Sequence, residues 1–277
     1  MDAEAGMHAV QVIGRVEVVD RSVQDGAELV STLAKGLDVL AVLAGGELLG
    51  NLQIAQRVGL SKATASRLCT TMAALGYLRL DERTRKYAMG ARLLAMGATV
   101  QHRCGLLRLA KPLMISLARD TGMVVGMGAR ERLGMVCLDV ANDEGVSVGT
   151  SSVGSVLPMA DTAMGLAYLA HAGVAERISV LRQLQVAYGR DWKAVRERIE
   201  EAMTQYRRQG YVIRHRSCEA GVTAVAAAIE LPGHLGVVAF TCATEANSPE
   251  VTARLQRAGA GLLDMAAALL RGAVPGR

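Results

Sequence analysis

Residues 58–80 read VGLSKATASRLCTTMAALGYLRL, and the reading of this stretch decides the fold of the first third of the chain. Gly59 makes a tight turn, Ser61 is placed to cap a helix, and Gly76 sits where a helix ends. Along that helix Ala65, Leu68, Met72 and Leu75 recur at helical spacing and form a core stripe. Lys62, Ala63, Ser66, Arg67 and Thr70 form the opposite stripe, short-sided and basic, with no acid from Ser61 to Leu80. A shorter helix precedes the turn, with Asn51 as its expected cap and Leu52, Ala55 and Val58 facing inward. A further helix runs from Lys35, with Leu37, Leu40, Ala41 and Ala44 on its inner face, and closes at Gly45-Gly46. After Gly76 come Tyr77-Leu78-Arg79-Leu80, the charged turn DERTRK and Tyr87-Ala88-Met89, two short strands of a hairpin. Helix, helix–turn–helix and hairpin, in that order, spell a winged helix-turn-helix.

Such a unit places its second helix in the major groove of duplex DNA. Ser61, Lys62, Ala63, Thr64, Ser66, Arg67 and Thr70 are the expected contacts. The helix N-terminus offers N–H groups and a positive dipole to phosphates. The short side chains allow close approach to base edges, and Arg67 reaches a guanine or a phosphate. Arg83, Arg85 and Lys86 on the hairpin reach the flanking backbone. Charge agrees with this. Residues 31–104 carry 10 Lys+Arg against 4 Asp+Glu, a net +6, although the 277-residue chain as a whole is only +5. An ordinary solvated helix is the competing reading.

Residues 1–30 lack a firm period and are expected to be a poorly ordered extension. The DNA-binding domain then spans 31–90 and a linker helix 91–104. Residues 105–277 change texture. A helix covers about 106–119, and strands follow at 123–129 and 133–140. GTSSVG at 149–154 is a loop. Helices open at Asp161 and cover about 174–187 and 191–209. Strands are expected at 211–213, 223–230 and 235–242. Ser248 caps a last long helix with Pro249 at its first position. Strands meeting in hairpins with helices between and after them indicate an α+β domain with a mainly antiparallel sheet.

Catalytic chemistry is hard to find. GMGARERLG from Gly126 starts like a dinucleotide fingerprint, but Glu131 replaces the third glycine and no helix follows. The five cysteines have no ligand or disulfide spacing and read as buried thiols; no cofactor or metal is expected. The five histidines are scattered and read as surface or loop residues. Aromatics make up 3% of the chain, which excludes base-stacking platforms for single strands. No run of about 20 apolar residues is present to span a bilayer, and the N-terminus lacks a signal-peptide pattern, so a cytoplasmic location and no membrane partner are expected.

AKGLDVLAVL, IAQRVGLSKATASRLCTTMAALGYLRL, RKYAMGARLLAMG, LPMADTAMGLAYLA, RRQGYVI and GVTAVAAAIE, in this order and spacing, resemble the IclR family of bacterial transcription regulators. The resemblance runs from about Leu33 to Leu270. It implies a GAF-like effector domain behind the winged helix. It also implies dimers or tetramers on palindromic operators, and a pocket for a small carboxylate metabolite. The family's pocket corresponds here to Met159, Ala160, Asp161, Thr162, Ala163, Met164 and Gly165, to Thr223 and Ala224, and to Thr241 and Ala243. Two departures stand out. A frequent family cysteine is Ala224 here, and a usual acidic run is Arg214-His215-Arg216. Arg214 or Arg216 is expected to help hold the carboxylate, since a guanidinium can clamp it bidentately; an exposed hairpin face is the competing reading of Arg214-His215-Arg216. Two alternatives stay open: a second domain that only oligomerises, and an enzyme with a basic accessory domain.

Overall fold

The computed structural model describes residues 30–142, 152–217, 222–231, 236–245 and 249–273. Residues 1–29 of the expected N-terminal extension, the Ser248 cap and half of the 149–154 loop lie outside these residues. The described residues fall into two compact units, one ending at Arg103 and the other starting at Cys104.

The first unit contains α1 (Ser31–Leu43), α2 (Asn51–Val58), α3 (Lys62–Ala74), the hairpin β1 (Leu78–Asp81) and β2 (Lys86–Met89), and α4 (Ala91–Arg103). Gly59 closes α2 in the left-handed conformation at φ 74°, which only glycine adopts without cost, and the chain turns directly into the Ser61 cap. The wing registers Leu78 with Met89 and Asp81 with Lys86, and Leu49 bridges to Tyr87 as a third short pairing. Val39, Leu43, Leu49, Ile54, Ala65, Cys69, Leu78 and Tyr87 form the core.

Three expectations of facing fail here. On α1 the buried set is Gly36, Asp38, Val39, Val42 and Leu43, whereas Leu37 is 56% exposed. On α2 Ile54 is buried and Leu52 faces out, and Gly50 rather than Asn51 is the cap residue. Leu75 at the end of α3 is exposed. In each case several apolar residues compete for one narrow face. Packing against neighbouring helices, absent from the local pattern, selects among them.

The second unit is a six-stranded antiparallel sheet of order β5-β4-β3-β8-β7-β6. Its strands are β3 (Val124–Glu131), β4 (Gly134–Ala141), β5 (Val156–Pro158), β6 (Val212–Ser217), β7 (Val222–Leu231) and β8 (Gly236–Thr244). Helices cover both faces. Helices α5 (Gly105–Thr121) and α9 (Pro249–Ala273) cover one; α6 (Ala163–His171), α7 (Val174–Tyr188) and α8 (Trp192–Gln209) cover the other.

Strand alternation produces the two cores. Val225, Ala227 and Ile229 of β7 and Val238, Phe240 and Cys242 of β8 join the α5/α9 core. Ala224, Ala226 and Ala228, with Val237 and Ala239, join the α6–α8 core. The alanines matter: they leave room for α6 to lie flat on the sheet, and every residue from Ala163 to Leu169 is buried. Among the described residues no helix is long and apolar enough to cross a membrane.

The ladder between β3 and β4 has one irregularity, between Met127 and Gly128, which face Asp139 and Cys137. Lys111 of α5 clasps the bulged strand. Its Nζ donates to Asp139 Oδ1 at 2.7 Å and to the Val140 carbonyl at 2.9 Å. The bulge shifts the alternation of β4, so Cys137 and Val140 line the same cavity although three residues apart.

Candidate functional sites

The first site is the outer face of α3. Ser61 caps the helix as expected: the Thr64 backbone N–H donates to Ser61 Oγ at 3.2 Å. Ala65 and Cys69, on the inner face, are wholly buried. Burial pushes the Cys69 thiol up to about 11, so it is an inert core group. Ser61, Lys62, Ala63, Arg67 and Thr70 are exposed, and Thr64 and Ser66 half-buried. The sequence thus placed all seven residues on one accessible face or its edge. Lys62, Arg67, Arg83 and Lys86 take part in no ion pair among the described residues.

The wing tip carries Arg83 and Arg85. Arg85 adopts φ 55°, and its Nη1 meets Glu82 at 2.7 Å, an exposed pair that contributes little to stability. Asp81 shapes this turn. Its Oδ1 accepts from the Thr84 backbone N–H at 2.8 Å, and Thr84's hydrogen bonds hold its carboxyl below the ordinary value. The acids of the wing are therefore spent on the turn and on Arg85, while the bases project.

The second site is a cavity of about 20 Å³ on the α6–α8 face of the sheet, lined by Val124, Gly126, Cys137, Val140, Leu157, Met164, Thr241 and Ala243. Of the residues expected from sequence, Met164, Thr241 and Ala243 meet here. Met159, Ala160 and Ala163 are core residues beside it, buried among α6, α8 and the sheet. Thr223 neighbours Ala224 on β7 and so faces the opposite side, toward α5 and α9; only Ala224 shares the cavity's face.

Asp161 neither caps α6 nor faces the cavity. Thr162 is the cap, accepting from the Gly165 N–H at 3.2 Å and donating to the Pro158 carbonyl at 2.8 Å. Asp161 is clamped by Arg198 of α8 and accepts from the Tyr188 hydroxyl at 2.8 Å, so it ties the entrance of α6 to its neighbours. Gly165 has a packing role, since a Cβ there would lie 2.1 Å from the Met159 carbonyl oxygen.

The Thr241 hydroxyl is engaged as a donor to the Val225 carbonyl at 3.1 Å, leaving only lone pairs for the cavity. Cys137 is buried, and desolvation raises its thiol to about 11, which makes it wall rather than nucleophile. The cavity lining contains no charged residue.

Arg214 lies on the edge strand β6. Its Cα partner is Ala224, whose partner is Ala243, whose partner is Val124. Directly paired residues of an antiparallel sheet share a face. Arg214 therefore occupies the same row, on the same face, as two cavity-lining residues, with one alanine between. Arg216 lies on β6, but its side chain is outside the described residues.

Sequence reasoning missed Val124, Cys137, Val140 and Leu157, and discarded Gly126 with the false dinucleotide pattern. The available signal was glycine at alternate positions inside a strand, which marks close approach of another group. It also missed His171, expected at the surface. His171 is half-buried, with Nδ1 2.9 Å from the Tyr206 hydroxyl, which itself donates to the Ala228 carbonyl. Burial lowers its pKa.

Comparison with known proteins agrees with this architecture. Residues 32–82 match the IclR helix-turn-helix domain, and residues 98–258 match the bacterial transcriptional regulator IclR C-terminal domain. The HTH-type transcriptional regulator TsaQ1/TsaQ2 of Comamonas testosteroni is 42% identical over 213 residues, covering 76% of this chain and 77% of that protein. XynR of Escherichia coli is 29% identical, over 62% of this chain and 69% of its own. An IclR family transcriptional regulator from Brucella abortus superposes with a TM-score of 0.81 at 30% identity, covering 95% of this chain and 98% of that one. An IclR homologue from Microbacterium hydrocarbonoxydans, solved with 4-hydroxybenzoate, shares the fold at a TM-score of 0.61 and 23% identity, covering 87% of this chain and 99% of that one. The Comamonas, Escherichia and Brucella proteins are transcriptional regulators. The chain belongs to the IclR family of DNA-binding transcriptional regulators.

Proposed function

We propose that this regulator binds a palindromic operator as a dimer or tetramer through α3 and the wing, and that a small carboxylate entering the second unit changes its hold on DNA. In this reading residues 31–90 are the DNA-binding domain, 91–104 the connecting helix and 105–277 the effector domain.

The observation that carries the effector reading is the row Arg214–Ala224–Ala243–Val124 beside an uncharged cavity. An organic anion cannot leave its charge in so apolar a lining without a large desolvation cost. Thr241 offers lone pairs and would repel it. A guanidinium on the same row, separated from the lining by Ala224 alone, supplies two parallel N–H donors for a carboxylate. The 4-hydroxybenzoate of the Microbacterium neighbour is a ligand of this type and serves as a first compound to try. Arg214→Ala should weaken binding of the effector at least about tenfold, in keeping with the loss of a charge-assisted bond, and leave DNA affinity without effector unchanged. Equal affinity of both proteins for an effector would remove Arg214 from the site.

The DNA reading rests on the unpaired basic residues of α3 and the wing. Each phosphate contact should steepen the log–log dependence of affinity on salt by about 0.9. Dimerisation is supported by apolar side chains left bare on the first unit: Leu94 is 77% exposed and Met96 53% on α4, and Leu33 and Leu37 stand one turn apart on α1, both exposed. A second copy covering them would give the two-fold unit that an inverted-repeat operator matches. Sedimentation should show at least a dimer at micromolar concentration, and a monomer with and without DNA would refute it.

A second reading, in which residues 105–277 only oligomerise, is favoured by the size of the cavity: 20 Å³ holds one water. A carboxylate-dependent rise in melting temperature separates the two.

A further inference from the structure

The cavity is small because the protein fills it with its own side chain. Met164 stands in the first turn of α6, only 2% exposed. Its thioether lies on two glycines of β3. A Cβ built on Gly128 would be 2.4 Å from Met164 Sδ, and one on Gly126 would be 3.7 Å from Met164 Cε. The neighbouring inward positions carry side chains, Val124 before the pair and Val140 and Cys137 on the adjoining strand. Gly126 and Gly128 thus leave a bare strip of strand, and Met164 occupies the space above it. Val140, Cys137 and Leu157 wall the strip on one side, Thr241 and Ala243 on the other.

Resting on the effector reading above, we propose that Met164 is a displaceable plug, and that the effector is a flat organic anion whose apolar body takes the plug's place on the Gly126–Gly128 strip. Methionine suits this task. It is unbranched and turns about three bonds, so it leaves a slot without moving the backbone, whereas a branched residue is locked by its rotamers. The vacated space is a slot with a backbone floor and two side-chain walls, which admits a planar ring more readily than a puckered one. The slot runs into the Ala243–Ala224 row, which directs the charged end of the ligand toward Arg214. Ligand selection is therefore set by residue 164 for the body and by residue 214 for the charge.

The plug also has a thermodynamic consequence. If the closed form dominates, the observed affinity is the intrinsic affinity reduced by the open fraction. Removing the plug should raise affinity, whereas deleting an ordinary contact residue lowers it.

The test titrates wild type, Met164→Ala and Met164→Leu with benzoate, its puckered analogue cyclohexanecarboxylate and the neutral ring benzyl alcohol, by calorimetry. Met164→Ala should bind benzoate at least about tenfold more tightly than wild type and should also take benzyl alcohol weakly, which wild type excludes. In wild type benzoate should be preferred over cyclohexanecarboxylate, and the preference should shrink in Met164→Ala. Met164→Leu conserves volume with a stiffer chain and should bind every probe more weakly than wild type.

If Met164→Ala takes none of the probes, or binds them no better than wild type, the plug is refuted. If it binds benzyl alcohol as tightly as benzoate, the plug stands and the anion reading fails. Should Met164→Ala not fold, wild type labelled on its 13 methionine methyls answers instead. The resonance missing from Met164→Leu must move when benzoate is added, and an unmoved resonance in a benzoate-saturated protein overturns the proposal.

Discussion

Helices α3 and α6 both begin at a hydroxyl cap, Ser61 accepting from Thr64 and Thr162 accepting from Gly165, and they then meet opposite surroundings. The outer face of α3 is exposed. Its Lys62 and Arg67 join no ion pair among the described residues, and its short side chains leave the backbone approachable. The first turn of α6 is enclosed by the sheet, α7 and α8, and the acid before it is already neutralised by Arg198. One helix leaves a short-sided, basic face open to solvent. The other encloses a cavity in which the Thr241 hydroxyl already donates to the Val225 carbonyl. The same local device, a capped N-terminus, therefore opens an exposed helix in one unit and a packed helix in the other.

The largest expected effect separates the two helices by crowding. Gly165→Ala drives a Cβ to 2.1 Å from the Met159 carbonyl and within 2.6 Å of two further Met159 backbone atoms. No flexible side chain can yield there. A loss of about 3 kcal/mol or more is expected, at or above the upper end for overpacked cores, read as a collapse of the thermal transition of the second unit. Ala63→Gly on α3, an exposed helix position, should cost only about 1 kcal/mol. Similar losses at the two sites would contradict the enclosure of α6.

Next in size are the caps. Ser61→Ala removes one acceptor and should lower stability by about 1 kcal/mol. Thr162→Ala should cost more, since it also strips a buried hydrogen bond to Pro158 and empties volume within a packed core. Thermal melts of both variants test the order.

The smallest effect is a pH dependence confined to the α6 region. Burial holds His171 below its ordinary pKa, so the unfolded chain takes up the proton first. The stability of the neutral form is complete above the ordinary histidine value of about 6.5 and is lost as pH falls from there toward the folded value. The melting temperature of wild type should drop between about pH 7.5 and 5.5 more than that of His171→Gln. Parallel curves would show that His171 does not contribute.

The contrast between the two helices also explains which parts of the fold were legible in sequence. Around α3 the signals are local: a glycine turn, a cap, a run without acids and a charged hairpin lie within 30 residues, and none needs a distant partner to be read. The facing of Leu37, Leu52 and Leu75 was misread because local periodicity does not say which of several apolar residues a neighbouring helix will cover. In the second unit the strands and their antiparallel pairing were visible from alternation and turn residues, but β5, three residues long, carries no pattern of its own. The cavity was the least legible part. Its walls come from β3, β4, β5, α6 and β8, and a bulge pinned by Lys111 decides which β4 residues face it. Family resemblance pointed to Met164, Thr241 and Ala243. It could not show that Asp161 is engaged with Arg198, that Thr223 faces away, or that two glycines lie under a methionine.

The central claim is that the outward face of α3 reads duplex DNA, and the most direct measurement is selection from a random duplex pool by the full chain and by Arg67→Ala. Wild type should enrich an inverted repeat. Arg67→Ala should bind that sequence with about 1–3 kcal/mol less free energy, relax its preference at one position in each half-site, and reduce the salt slope by no more than about one phosphate contact. If Arg67→Ala enriches the same sequence with the same affinity and the same preference at every position, the outward face of α3 is not the reading surface.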